Sequence, residues 1–143
     1  MAGPEMTATD IINAIGTHLS NQKVAYWPGL TGTYPKTSPI PPVFAKRLPP
    51  TPVTAFAINV YHITPPAPDE TVWRYRVQIR SRAPLNADTN ADKALNVLHA
   101  IHNQTWDGVH VARVLHESTA QLGADPSTGV DERTDNYLLE VTP

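Results

Sequence analysis

Cysteine is absent from the chain. That excludes a disulfide framework, a thiolate metal site and a cysteine nucleophile, and leaves the redox compartment open. No apolar run approaches the roughly 18 residues of a membrane span, so no membrane partner is expected. The opening Met-Ala-Gly-Pro-Glu-Met-Thr has no basic region followed by an apolar run. The expectation is therefore a soluble chain without a secretory signal, made in the cytoplasm. No Gly-x-Ser-x-Gly elbow occurs. The run from Gly123 to Gly129 has the glycines of a phosphate loop but lacks the Lys-Ser/Thr after the second glycine, and it reads as an exposed turn. His99 and His102 have no further ligand at a completing distance. Asp125, Asp131, Glu132 and Asp135 do not match the spacing of a calcium loop. The carboxylates fall in loops and turns, with no apolar pocket evident to separate their acidities. No catalytic, cofactor-binding or metal residue is assigned, and the chain is read as a non-enzyme.

Charge is nearly balanced overall, at −2, but unevenly spread. Residues 1–84 carry eight Lys/Arg against four acids, and residues 85–143 carry three against nine. The small net charge argues against a free-standing nucleic-acid binder. The polarity suits copies that attract one another head to tail, a contact that closes into rings or runs into filaments. Proline is abundant: eight of the fifteen lie between Pro28 and Pro52.

The most readable stretch is 72–82, Val-Trp-Arg-Tyr-Arg-Val-Gln-Ile-Arg-Ser-Arg. A period of two puts Trp73, Tyr75, Val77 and Ile79 on one face of a strand, and Arg74, Arg76, Gln78, Arg80 and Arg82 on the other. Residues 7–20 read as a helix capped at Thr7 or Thr9, with Asp10 at capping-box spacing and a stripe of Ile11, Ile12, Ile15 and Leu19. Val24 to Trp27 suits a short strand. Ala55 to Ile63 suits a strand covered on both faces, antiparallel to 72–82 because the connection is short. A second helix is expected from Asp88 or Asn90 to about Gln104, putting His99 and His102 on one face. Strands are expected at 109–116 and 135–141, with 122–133 as a loop. The sum is one α+β domain spanning 1–143, with two helices on a mostly antiparallel sheet of four to five strands. A long proline-rich loop or arm at 28–52 completes it. That segment carries Tyr34 and Phe44 and is too apolar for a solvated linker. It either folds over its own sheet or lies on a neighbouring subunit.

Three readings of the arginine row remain open: a solvated sheet face, charge pairing with a partner protein, and contact with backbone phosphates. For the second, candidate interface residues are Arg74, Arg76, Arg80, Arg82, Tyr34, Phe44, Asp125, Asp131 and Glu132, with sister copies supplying the carboxylates.

The segment Tyr75-Arg-Val-Gln-Ile-Arg-Ser-Arg comes first. An acid-rich helix with Ala94-Leu-Asn-Val-Leu-His-Ala-Ile-His follows, then Leu122-Gly-Ala-Asp with Gly129, then Arg133-Thr-Asp-Asn-Tyr-Leu-Leu-Glu-Val. In that order they resemble the tail terminator and minor capsid proteins of long-tailed bacteriophages. The resemblance spans roughly residues 54–143, and more loosely the first helix. The 28–52 stretch is longer than it implies. The resemblance implies a small α+β subunit in a ring of six copies, with no catalytic signature and no cofactor. That ring would cap the tail tube and present a surface to the head connector and neck proteins. It would surround the channel for DNA, without sequence-specific binding. The implied location is the virion tail or neck, after assembly in the host cytoplasm. The alternatives are another neck or head-closure protein, or a nucleic-acid module using the Arg74–Arg82 face.

Overall fold

The computed structural model describes residues 6–142. The first five residues, which the signal-sequence reading used, lie outside that range. Helix α1 (Ala8–Asn21) begins as its sequence dictates: the Thr7 hydroxyl accepts from the Asp10 amide and the Asp10 carboxylate accepts from the Thr7 amide. This reciprocal cap satisfies two of the amide donors that a helix start leaves open. The α1 stripe is fully buried. Gly16 sits where a Cβ would stand 2.6 Å from the Trp27 ring, so only glycine lets the chain fold back over the helix there.

One six-stranded sheet follows: β1 (Val43–Ala45), β2 (Ala55–Thr64), β3 (Trp73–Pro84), β4 (His102–Trp106), β5 (Val109–Ala124) and β6 (Val130–Thr142), in spatial order β1-β2-β3-β6-β5-β4. All neighbours are antiparallel except β1 and β2. Helix α2 (Asp88–Leu98) joins β3 to β4. Both helices pack on the inward face, where Tyr75, Val77 and Ile79 of β3 meet Tyr137, Leu139 and Val141 of β6 in one core with α1 and α2. Fully burying a side chain of this size stabilises by roughly 1.5–3 kcal/mol.

The α+β class and the two helices stand, and the sheet has six strands rather than four to five. Four local expectations are corrected. Val24 to Trp27 forms only an isolated bridge, Tyr26 to Pro42. The second helix stops at Leu98, and the chain turns at Ala100, at φ 63°, into β4. His99 is thus a C-cap and His102 opens a strand, so they share no helix face. The loop expected at 122–133 is mostly strand, since β5 and β6 form a hairpin closed by a turn at Asp125–Gly129. There the Gly129 amide donates to the Asp125 carbonyl over 2.7 Å, and the Asp125 side chain accepts from Ser127 and Thr128.

No free-standing arm appears at 28–52. The segment folds against its own sheet: β1 lies within it, and the Tyr26 carbonyl accepts from Val43 at 2.9 Å. Tyr34 stacks on Phe44 at 4.4 Å and donates its hydroxyl to the Val43 carbonyl at 2.6 Å.

His18 ties the helices together. Its Nε2 lies 2.8 Å from the Val97 carbonyl and its ring stacks on Trp106 at 4.1 Å. Burial pushes its pKa below the ordinary value, and the Val97 contact opposes this without reversing it. The folded chain therefore binds a proton at His18 less readily than the unfolded chain does, so protonation favours unfolding. Urea midpoints measured between pH 7.5 and pH 5 should fall as pH drops through the ordinary histidine range, about 6.5. His18→Gln should flatten that slope; an unchanged slope would remove His18 as its source.

Candidate interaction face

The outward face of β3, β6 and β5 carries the arginine row, and the strand register decides what each arginine meets. Arg74 stands directly across from Glu140 and Arg82 from Glu132 on β6, while Glu140 also faces Arg113 on β5. Cross-strand neighbours on one face lie within side-chain reach. Glu140 accordingly takes Arg74 Nε at 3.1 Å on one oxygen and Arg113 Nε at 2.8 Å on the other. Arg74 also reaches Glu70 at 3.4 Å. Arg76 reaches over β6 to Glu117 at 3.3 Å. Gln78 donates to Asn136, which donates to Ser118. Arg82 leaves the ladder: its Nε donates to the Val53 carbonyl at 2.8 Å and its Nη2 to those of Pro49 and Pro52. That frees Glu132 for its diagonal neighbour Arg80 at 2.5 Å.

Sister copies were the expected source of the carboxylates, but those beside Arg74, Arg76 and Arg80 belong to the same chain. The basic first part and the acidic second part, separate in sequence, neutralise each other across the sheet. Arg82 clamps the proline-rich segment instead. Of the other interface candidates, Asp131 is buried and accepts from the Ala87 amide at 2.7 Å. Asp125 caps its own turn, and its neighbours Ser127 and Thr128 hold its carboxyl below the usual range. Tyr34 and Phe44 face each other beside β1.

A second charged group lies on the opposite face, under α2. Arg133 is 5% exposed and Asp135 is 1% exposed. The guanidinium makes two parallel bonds to Asp135, at 3.0 and 3.1 Å, and its Nη1 reaches Asp88 and Asp92 on α2 at 3.0 and 2.8 Å. Burial works against this charge, but the Asp135, Asp92 and Asp88 carboxylates outweigh it and hold Arg133 firmly protonated. Asp135 also takes His116 Nε2 at 2.9 Å and Thr119 Oγ1 at 2.5 Å. Burial, then the Asp135 carboxylate, push the nearby Tyr137 phenol upward. The sequence hides this junction, because the glycines and acids of 122–133 give that stretch the look of a loop. The available signal was Asp131-x-Arg133-x-Asp135, which continues the period of Tyr137, Leu139 and Val141. Among the described residues no group of three or more His, Asp or Glu is placed to hold a metal ion.

No family model and no curated protein matches this chain. Sixteen chains of solved structures do match. One belongs to a structure titled "Virion of native gene transfer agent (GTA) particle". It matches with a TM-score of 0.50 and 10% identity over 71% of this chain and 78% of that one. At that identity the likeness is one of fold.

The two charged groups should differ sharply in weight. Arg133→Met leaves Asp135 buried without its cation and should cost about 3–5 kcal/mol in urea unfolding. Adding Asp135→Asn should recover part of that loss. Arg76→Gln breaks a half-exposed pair and should cost no more than about 1 kcal/mol. Equal costs for Arg133→Met and Arg76→Gln would contradict the assignment of the buried junction.

Proposed function

We propose that this chain is a structural subunit of a phage-like particle. In this reading, copies close into a ring, six by the family resemblance. The ring ends the tail tube and meets the head connector or neck proteins, with DNA passing through its lumen. The observation that carries the reading is the shared fold with a chain of a gene transfer agent virion, over most of both chains. The order of motifs from Tyr75 to Val141, which resembles tail terminator proteins, points the same way. Subunits of this kind need surfaces for copies of themselves rather than a reaction site, and the reading makes the chain a non-enzymatic component of the virion. The alternative of a nucleic-acid module on the arginine face is disfavoured. Arg74, Arg76 and Arg80 are paired with Glu140, Glu117 and Glu132, so the row has little free charge with which to track phosphates.

Native mass measurement of the purified protein, with electron microscopy of the same sample, tests the proposal. A closed oligomer seen as a ring, or rings assembling on added tail-tube ends, is expected. A chain that stays monomeric and does not bind tube ends contradicts it. Localisation in intact particles by a gold-labelled tag separates a tail terminator from another neck protein.

A further inference from the structure

Beyond the paired arginines, Lys46 and Arg47 make no ion pair among the described residues and lie together in one place, and three more unpaired lysines gather in another. Lys23 follows α1, Lys36 lies in the proline-rich segment and Lys93 lies on α2; all three are exposed. They come from three distant parts of the chain and line one cavity of about 470 Å³. No Asp or Glu lines it. None of the three lysines makes an ion pair among the described residues. The arginines Arg74, Arg76, Arg80, Arg113 and Arg133, by contrast, each meet at least one carboxylate.

We infer that this cavity binds a phosphate group. Three ammonium ions around one concavity repel one another, and an anion between them removes that repulsion while gaining charge-assisted hydrogen bonds. Lysine serves phosphate as a point charge on a flexible stem, so three stems can converge on one tetrahedral group. Neutral donors stand beside them. The Ser38 hydroxyl accepts from the Ile40 amide and keeps its own hydrogen free to donate, and the Asn90 carboxamide lines the same wall. The Tyr26 ring and several prolines supply apolar wall for the organic part of an ester. The volume falls within the range of small-molecule sites, roughly 300–1,000 Å³. The inference does not rest on the ring proposal.

The experiment is calorimetric titration of the whole chain at low ionic strength with inorganic phosphate, a deoxynucleoside monophosphate and the parent nucleoside. Saturable binding of the two phosphates and none of the nucleoside is expected. Tighter binding of the monophosphate assigns the site to an ester; equal binding assigns it to the free ion. The K23A/K36A/K93A variant should lose about tenfold or more in affinity, equivalent to about 1.4 kcal/mol. K46A, a cation outside the cavity, should stay near the wild-type value. K36A alone, in the extended segment, gives the same reading if the triple variant fails to fold. The inference is overturned by phosphate that does not bind saturably, by nucleoside that binds as well as the monophosphate, by lysine variants that bind like wild type, or by K46A losing as much as the triple variant.

Discussion

The pairing of β3 with β6 is the constraint on which the rest of the structure depends. Twelve residue pairs run from Trp73↔Val141 to Pro84↔Val130 without a register shift. Side chains alternate between faces along a strand, so a slip of one residue would turn every inward group outward. In the observed register, Tyr75, Val77 and Ile79 face the helices and the arginines face away. The same register sets Arg74 across from Glu140 and Gln78 across from Asn136, and brings Glu132 within reach of Arg80. A strand that sorts apolar from cationic side chains is local chemistry. The neutralisation of those cations is a product of the ladder.

That division explains what the sequence revealed. β3 was legible because its alternation is unbroken, and α1 because Thr7 and Asp10 announce its start. β5 was cut short for a physical reason. It carries register shifts at 111/113, 116/118 and 121/123. Its residues opposite the inward side chains of β6 are therefore Val111, Val114, His116, Thr119, Gln121 and Ala124. Steps of three alternate with steps of two, so strict alternation fails along the strand, and the expected strand of 109–116 ends at the second bulge, between His116 and Ser118. β6 was started too late because its first inward residues, Asp131, Arg133 and Asp135, are polar. Their burial makes sense only once Asp88, Asp92 and the Ala87 amide are brought over them by α2. The second helix was drawn too long because Ile101 extends its apolar spacing. Nothing nearby in the sequence announces the turn at Ala100.

The arginine row was equally visible, and its meaning was not. Read alone, five outward polar residues with four guanidinium groups suggest a surface waiting for a partner's acids. In the fold, four carboxylates of the same chain and three carbonyls of its proline-rich segment occupy them. The charge polarity along the chain therefore serves internal cohesion first. Three of the unpaired cations, Lys23, Lys36 and Lys93, line a concave site that no single stretch of sequence foretells, because its walls come from the end of α1, the proline-rich segment and α2. The proline-rich segment, clamped by Arg82 at one end and bridged at Tyr26 and Pro42, builds that wall.

Nuclear Overhauser contacts between backbone protons of β3 and β6 test the register directly. Tyr75 should connect to Leu139, Val77 to Tyr137 and Ile79 to Asp135. Contacts displaced by a single residue along β6 would turn the arginine face into the core and contradict the account.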